Sequence, residues 1–242
     1  MSEGAEASFT ATQLAHWGLL EVARRELCRD RLMAEVASPP PAVLAVLRQQ
    51  WAQARGLITE AQLQQGLLQI GLGSGELDVL VARPWRWSQW CERHRAARVP
   101  SLFLARKAGL DQVTFWRLHC GDEALASELY LRLREGERTV EQLLAQAADG
   151  AAWSMEQVGP VAMETLPQDL AALLRVSEPG VPWPPRPLSS GGWHVLQLQQ
   201  RLPATLDPEL RSRLLQILGE EALAEAVAVE VAAQVSARPG SG

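Results

Sequence analysis

Near Leu110 the apolar residues stop recurring at three- and four-residue intervals and begin to alternate; after Pro203 the helical spacing returns. A helix buries one stripe and a strand buries every second residue, so one element cannot carry both periods. The change divides the chain into a helical N-terminal part at 1–109, a strand-bearing segment at 110–205 and a C-terminal helical run at 206–242. The expected fold class is α+β. A helical N-terminal domain is completed by a C-terminal helix, and the segment between them holds a small antiparallel or mixed sheet covered by helices.

The N-terminal part reads as a series of capped helices. "TATQLAHWGLLEVARRELCRDRLMAEV" begins at a Thr cap, with Leu14, Trp17, Leu20, Leu27 and Leu32 as its apolar face. "SPPPAVLAVLRQQWAQARG" starts after prolines and stops at Gly56. "TEAQLQQGLLQIG" is entered at Thr59, and residues 76–109 read as two or three shorter helices. The C-terminal run is capped by Asp207 with Pro208 in its first turn. Its stripe of Leu210, Leu214, Leu218 and Ala222 is too long to be buried by a small sheet with its own helices, so it is expected to pack on the N-terminal helices.

Between them, "QVTFWRLHC" alternates and reads as a strand. "DEALASELYLRLREGE" is an amphipathic helix with Leu125, Leu129 and Leu133 on one face. "RTVEQLLAQAADG" is a shorter helix, "EQVGPVAM" a short strand and "PQDLAALLRV" a third helix. "VPWPPRPLSSGG" is a proline-rich loop or edge strand. In "WHVLQLQQ", Trp193, Val195 and Gln197 share one face and His194, Leu196 and Leu198 the other. The element order is β-α-α-β-α-β-β.

Composition excludes several classes. The net charge is −5, and Lys107 is the only lysine, so there is no basic footprint for nucleic acid. No apolar run is long enough for a membrane-spanning helix. The N-terminus lacks the basic and apolar regions of a secretory signal, and the expected location is the cytoplasm. Cys28, Cys91 and Cys120 are too few and too scattered for a disulfide framework. Cys91 and His94 have ligand spacing, but no second pair completes a metal site, so neither metal nor cofactor is expected.

The segment from Gln112 to Pro203 resembles a parvulin-type peptidyl-prolyl isomerase domain. The resemblance rests on the element order and on four stretches: "ASELYLRLREGE" on the first helix, "TVEQLLAQAADG" on the second, "VGPVAMETLPQDLAALLRVSEPG", and the closing strand "GWHVLQLQQRLP". The flanking helical parts resemble, in architecture, the SurA-type and trigger-factor-type chaperones. The resemblance implies a protein that acts on Xaa-Pro bonds of polypeptide substrates or clients, with no cofactor. It places His194 at the family's final site histidine, Ser189 at a hydroxyl position before it, and Asp149 at the acidic position near the twisted carbonyl. Met163, Leu166 and Leu170 fall where apolar residues line the proline pocket. The first strand departs from the pattern: Arg117 takes the position of the first histidine. His119 lies two residues on, sharing its strand face.

The chemistry implied is consistent with the absence of nucleophile, metal and nucleotide motifs. Rotation about the prolyl bond breaks no covalent bond, and its barrier of about 18–20 kcal/mol is lost amide resonance. An apolar pocket and polar groups that bind the twisted form better than either planar form suffice. Three readings stand on these residues: an isomerase, a parvulin-fold peptide-binding chaperone or assembly factor without appreciable catalysis, and a helical scaffold unrelated to that family. In the last, His194 is a hydrogen-bonded strand residue, Asp149 a turn residue and the leucine pair ordinary core.

Overall fold

The computed structural model describes residues 9–188 and 191–236. In chain order its elements are α1 (Ala11–His16), α2 (Leu20–Leu32), α3 (Pro41–Gln53), α4 (Glu60–Gln69), α5 (Ser74–Arg95), α6 (Val99–Leu110), β1 (Gln112–Cys120), α7 (Glu123–Arg134), α8 (Val140–Ala148), β2 (Trp153–Ala162), α9 (Gln168–Val176), β3 (Arg186–Pro187), β4 (Trp193–Leu202) and α10 (Pro208–Ser236). The class is α+β, with helices predominating around one four-stranded antiparallel sheet. Two compact units are present. One combines the chain up to Pro100 with the chain from Asp207 onward; the other is Ser101–Leu206.

In the first unit, local chemistry sets the helix starts. Thr10 and Thr59 each accept the N–H of the third helical residue, Gln13 and Gln62, whose side chains bond back to the cap. The first stretch, expected to be one helix, is two. Gly18 adopts φ +70°, and Leu19 N–H reaches back to the Leu14 carbonyl, a bond that closes a helix end. With that break, Trp17 and Leu27 lie exposed, while Cys28 and Met33 carry the burial. By contrast α5 runs unbroken through Pro84, which leaves the Leu80 carbonyl without its helical donor.

The C-terminal helix α10 packs on α2 and α5. Leu214, Leu215, Leu218, Ala222 and Leu223 are buried on its inner stripe, with Cys28, Met33, Trp90 and Cys91 buried in the same unit. Gly219 lets the helices approach: a Cβ there would run into the Cys91 sulfur and the Trp87 ring. Arg25 and Arg29 on α2 pair with Glu220, and Arg211 pairs with Glu92 at 2.6 Å. These pairs are partly exposed, so they orient the helices more than they stabilise them. Between α3 and α4 lies a cleft of about 670 Å³, whose floor includes Leu57, Leu63, Leu67 and Leu77. Its charged lining is Arg48, paired with Asp78, and Glu60.

In the second unit the strand order is β2-β1-β4-β3. Residues directly opposite in an antiparallel pair share a face. One face carries Leu118, Cys120 and Val195 with Trp153, Met155 and Trp193, and is covered by Ala126 and Leu129 of α7 and Leu143 of α8. The other carries Val113, Phe115, Leu196, Leu198 and Val158. It is covered by Met163 and by Ala171, Leu173 and Leu174 of α9. Two irregularities in β1 pairing fall at residues 113–115, one against each neighbouring strand. Gly159 (φ +118°) lies there because a Cβ would meet the Val113 carbonyl and Thr114. Arg201 closes the C-terminal end of α9, donating from Nη2 to the carbonyls of Leu174 (2.7 Å), Arg175 (2.9 Å) and Ser177 (3.2 Å).

Candidate functional site

The face covered by α9 is covered over only part of its length, and the uncovered end carries the titratable groups. The register builds it row by row. The row of Val158, Phe115 and Leu198 lies under α9 and its flanking turn. One pleat on, Glu156, Arg117 and Leu196 stand side by side. One pleat further, Ser154, His119, His194 and Arg186 form a row across all four strands. The apolar floor thus runs into a polar row of two histidines flanked by a hydroxyl and a guanidinium.

His119, and not Arg117, is the residue directly across from His194. Arg117 lies opposite Leu196 and gives its guanidinium to Glu156, with Nε donating to Oε1 at 2.9 Å. The position aligned with the first histidine is therefore filled by an ion-paired arginine, and the histidine two residues on makes the cross-strand pair. Gly192 (φ +81°) holds the His119 ring close. A Cβ at Gly192 would sit 2.9 Å from Nε2 and 2.8 Å from the Cys120 carbonyl.

His194 is half-buried, and its Nδ1 is buried without a hydrogen-bond partner among the described residues. Burial, and then the neighbouring Arg117, Arg186 and His119, hold its imidazole below the ordinary histidine range. At neutral pH it is an uncharged ring that can accept or donate one hydrogen bond.

Met163 is buried in the core of the α9 face, while Leu166 and Leu170 are half-buried against it and keep an open side. With Phe115, Val158 and Val161 they belong to one apolar cluster on the face that carries His194, and the partly exposed leucines are its open edge. Trp183, in the proline-rich stretch, packs on the same cluster and donates from Nε1 to Ser177 Oγ at 2.6 Å.

The remaining sequence candidates are not joined to this group. Asp149 is the C-terminal cap residue of α8, the helix whose Leu143 packs on the opposite face. It is exposed, and among the described residues its side chain makes no hydrogen bond or ion pair to either histidine. Ser189 lies outside the described residues. Cys91 and His94 do not act together: Cys91 is buried, whereas His94 stacks on Trp90 at 5.0 Å and binds Glu35 at 2.5 Å. Among the described residues no three His, Cys, Asp or Glu side chains gather as a metal site, and no helix is long and apolar enough to cross a membrane.

Sequence reasoning missed Ser154, Glu156 and Arg186. The first two alternate in "WSMEQV" and could have been read as one strand face. Arg186 sits in "PWPPRPL", which has no period to read, and only its pairing with His194 brings it to the site.

No protein-family model matches the chain, and no curated protein matches it in sequence. Its structure is similar to the peptidylprolyl isomerase PrsA from Bacillus cereus, at 11% identity and TM-score 0.49, over 96% of this chain and 87% of that one. It is also similar to PrsA from Bacillus anthracis, at 12% identity and TM-score 0.40, over 90% and 99%. A SurA-like chaperone of Campylobacter jejuni aligns at 14% identity and TM-score 0.31, over 100% and 98%. The structural neighbours are thus PrsA- and SurA-like isomerases and chaperones.

Proposed function

We propose that the second unit binds proline-containing segments of polypeptides and catalyses rotation about their Xaa-Pro bonds. The observation that carries this reading is the juxtaposition on one sheet face of a partly exposed apolar cluster and a cross-strand histidine pair. The pocket of Leu166, Leu170 and Met163 takes the pyrrolidine ring. His194, a neutral ring, contacts the peptide group as it twists, with His119 beside it. A twisted amide loses its resonance and its nitrogen turns pyramidal, so a group that bonds the twisted form and not the planar one lowers the barrier. Clients are polypeptides, and no cofactor takes part.

A second reading keeps the groove and removes the turnover. It is favoured by one observation, the separation of Asp149 from the histidines. On that reading the unit is a peptide-binding module of a chaperone or assembly factor. For location we propose the cytoplasm, supported by three buried cysteines that carry free thiols.

A protease-free isomerisation assay separates the readings. Exchange between cis and trans resonances of an Ala-Pro peptide is measured with and without the full chain. The isomerase reading expects exchange to accelerate in proportion to protein concentration, and to slow in His194→Ala while binding persists. Binding with no acceleration supports the module, and neither binding nor acceleration overturns both.

A further inference from the structure

We propose that the groove selects proline-containing segments that carry a carboxylate within about two residues of the proline, and that Arg186 is the residue that holds it. The inference rests on the reading of the Leu166–Leu170 pocket as the proline site.

Arg186 stands directly across from His194 at the edge of the sheet, in the row that ends the groove. Two features fix it there. Its backbone pairs with β4, and its guanidinium lies 5.8 Å over the ring of Trp183, which is itself packed on the pocket's core. The two arginines of the groove differ. Arg117 is neutralised by Glu156, whereas Arg186 is exposed and has no carboxylate partner among the described residues. Both depress the protonation of His194, so both act electrostatically on that end of the groove. With Glu156 already engaged by Arg117, Arg186 leaves an unpaired positive charge at the end of the groove.

Spacing sets which residue of the ligand can reach it. Successive rows on one strand face are about 6.6–6.8 Å apart, and an extended peptide advances about 3.3–3.6 Å per residue. Arg186 stands two rows beyond Leu198, the floor of the pocket. Arginine and glutamate side chains reaching toward each other cover most of that gap, which places the acid one or two positions from the proline.

The test uses the full chain and short peptides identical except for one residue flanking the proline, placed on each side in turn as Glu, Gln or Lys. At low salt the Glu peptide is expected to bind about fivefold more tightly than the Gln peptide, as for a half-exposed ion pair, with Lys weakest. The advantage shrinks as salt rises. Arg186→Gln abolishes the Glu-over-Gln difference; Arg186→Lys keeps part of it. Equal binding of Glu and Gln peptides, or a Glu preference that survives in Arg186→Gln, overturns the proposal while leaving the proline pocket standing. No binding of any peptide overturns the pocket reading and the proposal together.

Discussion

Gly191 and Gly192 precede the histidine strand side by side, and the structure gives them different reasons to be glycine. Both have positive φ, +94° and +81°. A Cβ on Gly191 meets nothing within 4 Å, whereas one on Gly192 would lie 2.8 Å from the Cys120 carbonyl and 2.9 Å from His119 Nε2. Gly191→Ala therefore costs only the left-handed conformation, about 1–2 kcal/mol for an L-residue. Gly192→Ala carries that cost and a collision with backbone as well as with the His119 ring. Carbon–oxygen contacts settle near 3.3–3.6 Å, so β1 or the glycine turn must move by roughly half an ångström. Relief of such overpacking costs about 1–3 kcal/mol. The second variant should thus lose about 2 kcal/mol more than the first. Urea unfolding followed through the His119 and His194 imidazole resonances reads this unit directly. The His119 resonance should also shift in folded Gly192→Ala and stay in place in Gly191→Ala. Equal losses in the two variants, or a larger loss at Gly191, would refute the close approach of Gly192 to β1.

Three other outcomes follow from the same geometry. Leu170→Ala strips apolar surface from the open side of the pocket and should weaken proline-peptide binding by about 1–2 kcal/mol in a calorimetric titration; unchanged affinity would remove Leu170 from the pocket. His194 titrates lower in the fold than in the unfolded chain, so the unfolded state takes up the extra proton as pH falls. The stability tied to it is complete above about pH 6.5 and is lost as pH drops from there toward the folded value, at no more than about 1.4 kcal/mol per pH unit. His194→Gln should remove that part of the pH slope, and a slope unchanged in the variant would contradict the assignment. All three cysteines are buried and free, and burial raises Cys91 to about 11. Thiol titration should find three groups in denatured, unreduced protein and slow reaction in the native state; fewer than three would mean a disulfide.

Much of the second unit was legible because its signals are local. β1 is the alternating stretch "QVTFWRLHC" from end to end, and the faces of β4 follow from parity alone, so His194 could be placed with Leu196 and Leu198 before any coordinates. The helix starts at Thr10 and Thr59 were equally readable, since capping involves residues three apart. The partner of His194 was not. Parity puts Arg117 and His119 on one face, but which of them stands opposite depends on register between strands some seventy residues apart. That register is set by irregular pairing near Val113 and by tertiary packing, which leave no local mark. Arg186 was hidden for a similar reason, since a two-residue edge strand has no period. In the N-terminal helices the apolar spacing misled at Trp17 and Leu27. The turn at Gly18 reorients α1, and the buried residues of the stretch are Cys28 and Met33 instead.

The central claim is that the α9 face of the sheet, from the leucine pocket to the histidine row, is where a proline-containing chain sits. Titrating isotope-labelled protein with an Ala-Pro peptide tests it most directly, with the methyl groups of Leu166, Leu170 and Met163 and the rings of His119 and His194 as probes. The account predicts that these resonances shift together along one binding curve, while those of Leu118, Leu129 and Leu143 on the opposite face stay in place. Shifts confined to the opposite face, or to the cleft between α3 and α4, would contradict it.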